Sequence, residues 1–267
     1  MNDFIKRYGE WALIAGAAEG IGEAFSLSLA ERGMNLIMID IKSQQMNTLA
    51  ATITKLYNSK ILCITSDLRE FEASSTLPGI MRDLDCRLLI YVPAYSEIGS
   101  FRDISEKTLD SYLSLNVRTP IHMVHTFLNQ IKDGKSSGII LMSSLAALIG
   151  PALSAPYAAS KAFSLILAES LFYELKKSQV DILACCAGPT STPTFWKNTP
   201  AGNFKGIKIM RSSDVAEYAI KKLGSHFYCI PGFRNRVIYF FLTRFLPKKI
   251  AGRIVSNSML KLYDLNP

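Results

Sequence analysis

Short runs of β-forming apolar residues alternate with longer amphipathic stretches along almost the whole chain. The apolar runs predict strands at 11–15, 36–39, 61–65, 88–92, 139–142, 182–186 and 227–230. Between them, apolar positions at helical spacing predict helices near 21–31, 44–57, 71–82, 109–132, 158–177 and 214–223. This alternation is typical of βαβ units. We therefore expect an α/β fold, a doubly wound parallel sheet of about seven strands with helices on both faces.

The chain is long enough for one large domain. Its 267 residues are 49% hydrophobic, and no linker, repeat or change of composition divides them. We expect a single domain over 1–267, in which 231–267 forms a C-terminal extension of different character. The five cysteines are odd in number and fall mostly in apolar runs. That usage favours reduced thiols and a cytoplasmic location.

Chemically informative residues follow the predicted strands. In a doubly wound sheet, ligands bind beyond the carboxyl ends of the strands. The residues found just after six of the strands are Gly16, Asp40, Asp67, Ala94, Ser144 and Gly188. We therefore expect the ligand site at that end of the sheet.

A glycine-rich turn joins the first predicted strand to the first helix. It contains Gly16, Glu19, Gly20, Ile21 and Gly22. Glycine permits a tight turn and lets the backbone approach a pyrophosphate, and the amides at the helix N-terminus then face the phosphates. The turn predicts a dinucleotide site, and an ordinary glycine-rich turn is the alternative.

Asp40 ends the second predicted strand and bears on the choice of nucleotide. A carboxylate there accepts hydrogen bonds from the adenosine ribose and repels a 2′-phosphate. Glu19 adds negative charge, whereas Lys42 could reach a 2′-phosphate. We expect NAD as the cofactor, with NADP less favoured. A cap of the following turn is the alternative role for Asp40.

Tyr157 and Lys161 are one helical turn apart, so they share one face of a helix. A neighbouring ammonium lowers the pKa of a tyrosine, and Lys161 together with the positive nicotinamide could lower it enough for Tyr157 to exchange a proton with an alcohol or carbonyl near neutral pH. Ser144, which precedes the tyrosine by thirteen residues, could hold the same substrate oxygen. The alternative is an exposed helix pair without a catalytic role.

In this order and spacing, the glycine turn, Ser144, Tyr157 and Lys161 resemble the short-chain dehydrogenase/reductase family. The resemblance spans about 12–230. It implies a Rossmann-like fold and hydride transfer between a nicotinamide and a carbonyl/alcohol pair. It also implies Asn116 as the fourth catalytic residue, whose amide would hold a water that relays protons from Lys161.

The resemblance assigns further contacts and partners. Asp67, followed by Leu68, is similar to the family's adenine-contacting aspartate, and Ala94 matches a residue of the family's motif after the fourth strand. Segment 187–192 is similar to the family's P-G-x-x-x-T. The residues expected at the nicotinamide are therefore Gly188, Thr190 and Thr192. A small-molecule carbonyl or alcohol substrate and a homodimer or homotetramer are implied as partners.

The segment after the fourth strand departs from the family pattern. Val92, Pro93, Ala94 and Tyr95 stand where the family has N-N-A-G, so only Ala94 matches. Tyr95 is bulky where a glycine lets the backbone approach the cofactor ribose, and Pro93 removes a backbone donor. A catalytically degenerate member that acts as a nucleotide-binding interaction module is therefore the alternative function.

Segment 193–212 corresponds to the family's mobile lid over the substrate. Its large apolar residues are Phe195, Trp196, Phe204, Ile207, Ile209 and Met210. An apolar lid favours a lipophilic substrate, such as a ketoacyl thioester or a steroid-like compound. A hydrophobic cluster that folds the loop onto the domain is the alternative.

The extension from Pro231 carries most of the charge of the protein. The chain has a net charge of +8, and the extension holds seven basic residues and one acidic residue. Its basic, amphipathic pattern suits a helix on a membrane surface, a site for an acidic carrier protein, or a cover over the substrate cleft. Packing on its own domain or on a second subunit is the fourth possibility, which the number of apolar residues slightly favours.

Other functional classes are not indicated by the sequence. Outside the extension the net charge is small, so no nucleic-acid-binding surface is expected. His122 and His125 lack a third residue spaced as a zinc ligand, so no metal site is expected. No apolar run approaches the roughly 18 residues of a membrane-spanning helix.

Overall fold

The computed structural model describes residues 3–72, 77–131, 134–199 and 208–263. Its principal strands are β1 Trp11–Ala15, β2 Asn35–Asp40, β3 Ile61–Thr65, β4 Cys86–Tyr91, β5 Ser137–Ser144, β6 Val180–Ala187 and β9 Tyr228–Cys229. Within the described residues they form one parallel sheet in the order β3-β2-β1-β4-β5-β6-β9. The doubly wound parallel sheet expected from the sequence is confirmed. A short second pairing joins β7 Thr190–Ser191 to β8 Met210–Arg211.

Helices connect the strands and cover both faces of the sheet. They are α1 Asp3–Tyr8, α2 Gly20–Glu31, α3 Ser43–Tyr57, α4 Leu77–Asp83, α5 Glu106–Leu113, α6 Thr119–Gln130, α7 Ala155–Glu174, α8 Pro193–Asn198, α9 Ser212–Lys222, α10 Phe233–Arg244 and α11 Lys248–Leu262. The helix expected over 71–82 includes residues 73–76, which lie outside the described residues. In the part of the chain that the structure describes, no helix combines the length and apolarity that a bilayer crossing demands.

Alternating side chains of the strands build two cores, one on each face of the sheet. Ile14 of β1 joins the core that contains Phe25 of α2, while Leu13 joins the core that contains Phe127 of α6. Both phenylalanines are fully buried, and each such burial contributes about 1.5–3 kcal/mol. The two-residue side-chain period of a strand thus holds helices on opposite faces.

The long helix expected over 109–132 is interrupted in the structure. A π-helical turn at Ser114–Arg118 separates α5 from α6. Such turns occur often at functional sites, and this one contains Asn116, which is 2% exposed. The expected range contains Pro120, which stands in the first turn of α6. A proline has no N–H to donate to the carbonyl four residues earlier, that of Asn116, so the sequence carries a signal for this break.

The C-terminal extension folds back onto the domain as two helices. Pro247 precedes α11, so the chain turns between α10 and α11. Leu242 and Ala251 are buried in a small core with Ile149. The backbone amide of Ala152 also donates a hydrogen bond to Ser256 Oγ at 3.1 Å. Part of the apolar set of the extension therefore packs on its own domain, in the way that the sequence slightly favoured.

Candidate active site

A cavity of about 790 Å³ lies at the carboxyl ends of β1, β2, β4, β5 and β6. The strand order reverses between β1 and β4, which is where doubly wound sheets bind nucleotides. The cavity is lined by most of the residues singled out in the sequence, namely Gly16, Glu19, Gly20, Ile21, Asp40, Asp67, Leu68, Ala94, Ser144, Tyr157, Lys161, Gly188, Thr190 and Thr192. Gly22 and Asn116 are not among the residues that line the cavity.

The glycine turn between β1 and α2 is closely packed. A Cβ on Gly22 would lie 1.7 Å from the carbonyl oxygen of Gly16, so only glycine lets α2 approach the turn this closely. Gly16 and Gly20 have φ angles of +74° and +61°, a region that favours glycine. The turn therefore presents bare backbone and the first amides of α2 to the cavity, as a bound pyrophosphate requires.

Asp40 and the Lys42–Glu19 pair lie at one end of the cavity. Asp40 is buried and accepts hydrogen bonds from the backbone amides of Ala18 at 2.9 Å and Lys42 at 3.0 Å. The Lys42 ammonium forms an ion pair with Glu19. Asp40 therefore braces the turn, the alternative role considered for it, and its carboxylate still lines the cavity. A carboxylate oxygen can accept more than one hydrogen bond, so bracing leaves acceptor capacity for a ribose.

Asp67 sits beyond β3 with Arg69 as its partner. The Arg69 guanidinium donates to both carboxylate oxygens, and the Arg69 backbone amide donates to Oδ1 at 2.9 Å. Hydrogen bonds from Arg69 hold the pKa of Asp67 below its usual value. Arg69 also lines the cavity. It is a cation at the end of the cavity where adenosine is expected, and the sequence interpretation did not identify it.

Tyr157 and Lys161 occupy successive turns at the start of α7, and Ser144 ends β5. The Lys161 ammonium lies 5.8 Å from the centroid of the Tyr157 ring. It donates a hydrogen bond to the carbonyl oxygen of Met142 at 2.8 Å, and the side chain is 4% exposed. A second serine, Ser143, donates to the Lys161 carbonyl oxygen at 2.8 Å. Strand β5 thus fixes the helix turn that carries both residues.

Burial controls the ionisation of the tyrosine–lysine pair. Burial raises the pKa of Tyr157 to about 12, and a hydrogen bond from Ser144 acts in the opposite direction. Burial also lowers the pKa of Lys161 to about 8. In the protein without its cofactor, desolvation is therefore the largest effect on the pKa of Tyr157. The expected lowering of this pKa by Lys161 together with a bound positive nicotinamide stays a prediction.

Asn116 supports the segment that departs from the family motif. Its Nδ2 donates to the Tyr95 carbonyl oxygen at 3.0 Å and to Ser160 Oγ at 2.9 Å, and its Oδ1 accepts from the Tyr95 amide at 2.7 Å. Both Nδ2 hydrogens are thus engaged within the protein. The water relay assigned to this amide stays a prediction, and its observed contacts point to support of the Tyr95 loop.

A short lid helix closes one side of the cavity. Helix α8 contributes Phe195 to the lining, and the Asn198 amide donates to the Ser96 carbonyl oxygen at 2.8 Å across the cavity mouth. The pairing of β7 with β8 brings the two ends of segment 193–212 together. Phe204 and Ile207, two of the apolar lid residues in the sequence interpretation, lie outside the described residues.

The C-terminal extension forms a wall of the same cavity. Helices α10 and α11 contribute mainly apolar side chains to the lining, among them Ile238, Tyr239, Leu242, Ile254, Val255 and Met259. From the sequence, a cover over the cleft is one possibility for the extension, but none of these residues is assigned to the cavity. Their apolar spacing was visible, but which side of each helix faces the cleft depends on the turn at Pro247.

Metal ligation has no support in the described part of the chain. No three His, Cys, Asp or Glu side chains are grouped there so as to hold a metal ion. His122 and His125 are exposed on α6, on the outer surface of the helix.

Comparison with known protein families identifies close relatives of this arrangement. The profile of the short chain dehydrogenase family matches residues 10–202. A 7beta-hydroxysteroid dehydrogenase of Clostridium sardiniense is 30% identical over 234 residues, which are 88% of this chain and 90% of that protein. A second such enzyme, from Collinsella aerofaciens, is 28% identical over 235 residues, 86% of this chain and 89% of that protein.

Solved structures match the fold over almost the full length. A structure from a study of 7beta-hydroxysteroid dehydrogenase stereoselectivity superposes with a TM-score of 0.84 at 26% identity, covering 96% of this chain and 99% of that one. A short-chain dehydrogenase from Sphingobium yanoikuyae in complex with NADPH has a TM-score of 0.73 at 20% identity, covering 83% of this chain and 86% of that one. The match to the first structure extends past the family profile into the C-terminal helices.

Proposed function

The chain belongs to the short-chain dehydrogenase/reductase family and is an NAD(P)-dependent oxidoreductase, and we propose that it oxidises or reduces a carbonyl/alcohol pair on a bulky lipophilic skeleton such as a hydroxysteroid. The observation that carries this proposal is the convergence of Ser144, Tyr157 and Lys161 with the glycine turn in one cavity, whose far wall is apolar. The proposed catalytic residues are these three, with Asn116 as support.

Tyr157 is the proposed proton donor and acceptor. In reduction its phenol donates a proton to the substrate oxygen, and in oxidation its phenolate accepts the alcohol proton. The Ser144 hydroxyl donates a hydrogen bond to the same oxygen, and the Lys161 ammonium favours the phenolate. A bound nicotinamide supplies or accepts the hydride and, when oxidised, adds the positive charge that lowers the pKa of Tyr157 further.

The residues at the other end of the cavity fit a dinucleotide. The proposed contacts are the glycine turn with Glu19 and Ile21 for the pyrophosphate, Asp40, Asp67 and Leu68 for the adenosine, Ala94 for the nicotinamide ribose, and Gly188, Thr190 and Thr192 for the nicotinamide amide. Gly22 acts indirectly, because its missing side chain lets α2 reach the turn.

Within the NAD(P) class, NAD is the proposed cofactor. A 2′-phosphate would stand against the Asp40 carboxylate, and the cation nearest to it, Lys42, is already paired with Glu19. Replacing Asp40 with Asn removes the charge and keeps an oxygen acceptor for one of the two backbone amides, those of Ala18 and Lys42, that the carboxylate now accepts from. We expect Asp40→Asn to lower the ratio of the NADP Kd to the NAD Kd by at least about tenfold.

Titration of NADH and NADPH by fluorescence measures this ratio in both proteins. Lys42→Gln is the matched control, and it should weaken NADPH binding slightly or leave it unchanged. Tighter binding of NADPH than of NADH by the unaltered protein would contradict the preference. The positive charge of Lys42 or Arg69 would then outweigh the negative charge of Asp40 at the adenosine end of the cavity.

The proposed substrate follows from the apolar wall and from the relatives. Ile238 and Ile254 line the cavity from two different helices, although 48% and 43% of their surfaces are exposed without a ligand. Covering these side chains with a rigid apolar ring system would stabilise the complex through the hydrophobic effect. The match to 7beta-hydroxysteroid dehydrogenases supports a hydroxyl or keto group on such a ring system.

Polar substitution in this wall should raise KM for lipophilic ketones selectively. We expect Ile238→Asn with Ile254→Asn to raise KM for a ketosteroid by about 30-fold, since each half-covered isoleucine contributes about 1 kcal/mol. The KM for a small water-soluble ketone should not change. Leu56→Asn on α3, where 62% of the residue is exposed, is the matched control. Equal effects on both ketones would count against a substrate wall here.

Two further proposals concern the domain organisation and the oligomeric state. A single domain over 1–267 and a homodimer or homotetramer are proposed. The exposed apolar residues Leu113, Ile121 and Ile166 on α5, α6 and α7 offer a face for a second copy. A degenerate interaction module is not favoured, because the Tyr95 loop is held in place by Asn116 and leaves the cavity open.

A panel of hydroxysteroids and small alcohols, assayed with NAD and NADP by nicotinamide absorbance, tests the proposed function. Turnover on small alcohols alone would contradict the substrate class.

A further inference from the structure

Three phenylalanine rings meet on the outer surface at the end of α10. The ring centroids of Phe240, Phe241 and Phe245 are separated by 5.4 to 5.8 Å. The three residues are nevertheless 56%, 54% and 64% exposed. Aromatic rings in mutual contact usually belong to a core or an interface. A cluster this exposed is therefore an apolar surface that a partner can cover.

The turn that follows the cluster continues this surface. Every residue over 243–250 is exposed, including the large apolar side chains of Leu246 and Ile250. We call this surface the α10–α11 corner, and it consists of Phe240, Phe241, Arg244, Phe245, Leu246, Lys248, Lys249, Ile250 and Arg253. Apolar and basic side chains are interleaved in it.

The cations of the α10–α11 corner have no anionic partners in the described chain. Arg244, Lys248, Lys249 and Arg253 form no ion pair with any described residue, and the sequence over 231–263 contains neither Asp nor Glu. Some basic residues elsewhere are paired, as Arg32 is with Glu217. The corner therefore carries an uncompensated positive charge around its aromatic cluster.

We propose that the α10–α11 corner docks the protein on an anionic lipid surface. Basic side chains can reach the headgroups while the phenylalanine rings enter the boundary with the acyl chains, which is how interfacial amphipathic helices bind. A second copy on the same corner would bring eight cations together across an apolar contact, and their repulsion opposes that arrangement. An anionic lipid surface both neutralises the positive charge of the corner and covers its apolar side chains.

Docking at this corner would place the substrate cavity next to the membrane. Ile238 lies one turn before Phe241 on α10, and Ile254 follows Arg253 on α11. Both isoleucines line the cavity and are partly exposed. A lipophilic substrate dissolved in the bilayer would meet this rim first. This consequence rests on the proposed function, whereas the docking itself does not.

Co-sedimentation of the full-length protein with lipid vesicles tests the proposal. Vesicles of phosphatidylcholine alone are compared with vesicles that also contain phosphatidylglycerol, at low and high salt. We expect binding to the anionic vesicles at low salt, and its loss at high salt because salt screens the attraction. Little binding to neutral vesicles is expected.

Two pairs of variants separate the charge from the apolar cluster. Lys248→Glu with Lys249→Glu should weaken binding to anionic vesicles by at least about tenfold. The same change at the exposed pair Lys176 and Lys177, after α7, is the matched control and should not. Phe241→Gln with Phe245→Gln should also weaken binding, whereas Leu56→Gln on α3, equally exposed, should not.

Several outcomes would overturn docking. These are no binding to anionic vesicles at low salt, equal loss in the control variants, or a change of oligomeric state in the corner variants without vesicle binding. Turnover of a water-soluble ketone, measured alongside, should be the same in all of these variants. Turnover without vesicle binding contradicts docking alone, and vesicle binding without any turnover contradicts the proposed function alone.

Discussion

Turnover should fall by at least about 100-fold when Tyr157 is replaced by Phe, while the affinity for the cofactor is unchanged. The substitution keeps the ring in its place on α7 and removes the only proton that it can exchange. Ser144 and Lys161 remain, so binding and orientation of the substrate oxygen persist without proton transfer. Steady-state kinetics and cofactor titration measure the two effects separately.

The pH dependence should identify the same residue. In the unaltered protein the rate of alcohol oxidation should rise with pH, because oxidation requires the Tyr157 phenolate, and the rate of ketone reduction should fall as the phenol is lost. Tyr157→Phe should flatten both profiles. Tyr173→Phe, an exposed tyrosine on the same helix, is the matched control. Near-normal turnover in Tyr157→Phe would mean that Tyr157 is not the proton donor and acceptor.

Replacing Gly22 with Ala should raise the Kd of the dinucleotide by about ten- to hundredfold. The added Cβ would lie 1.7 Å from the Gly16 carbonyl oxygen, so the turn and the N-terminus of α2 must move apart. Overpacking of this kind costs about 1–3 kcal/mol, and the displaced amides are those that face the pyrophosphate. Isothermal titration with NADH measures the change.

Gly99→Ala is the matched control for the glycine turn. A Cβ on Gly99 would have no neighbour within 4 Å, so its effect on cofactor affinity should be negligible. Thermal unfolding of both variants distinguishes a local effect from a general loss of structure. Unchanged NADH affinity in a folded Gly22→Ala protein would mean that α2 does not form the pyrophosphate site.

The sheet could be predicted from sequence because its strands are short and nearly all apolar. The expected strands at 11–15 and 61–65 coincide with β1 and β3. Their parallel direction follows from the βαβ rhythm. The strand order, with its reversal between β1 and β4, was not predicted. The interruption at Asn116 was not predicted, although Pro120 lies within the expected helix and lacks the N–H that would bond to the Asn116 carbonyl.

The candidate site could be predicted where a single sequence motif indicates both the place of a residue in the fold and its chemical role. Tyr157 and Lys161 share a helix turn, and the glycine turn stands directly after β1. Arg69 and the lining residues of α10 and α11 were not identified, because their place depends on how distant segments pack. The raised pKa of Tyr157 was also missed, since sequence shows the neighbouring lysine but not the burial.

Transfer of isotope from the cofactor to the substrate tests the central claim most directly. The protein is incubated with a ketosteroid and NADH carrying deuterium at the transferable position of the nicotinamide, and the product alcohol is analysed by mass spectrometry. We predict one deuterium on the new carbinol carbon with the unaltered protein, and formation of the labelled alcohol at least about 100-fold more slowly with Tyr157→Phe. Cofactor binding without any labelled alcohol, across ketosteroids and smaller ketones and with NADPH as well as NADH, would contradict the account.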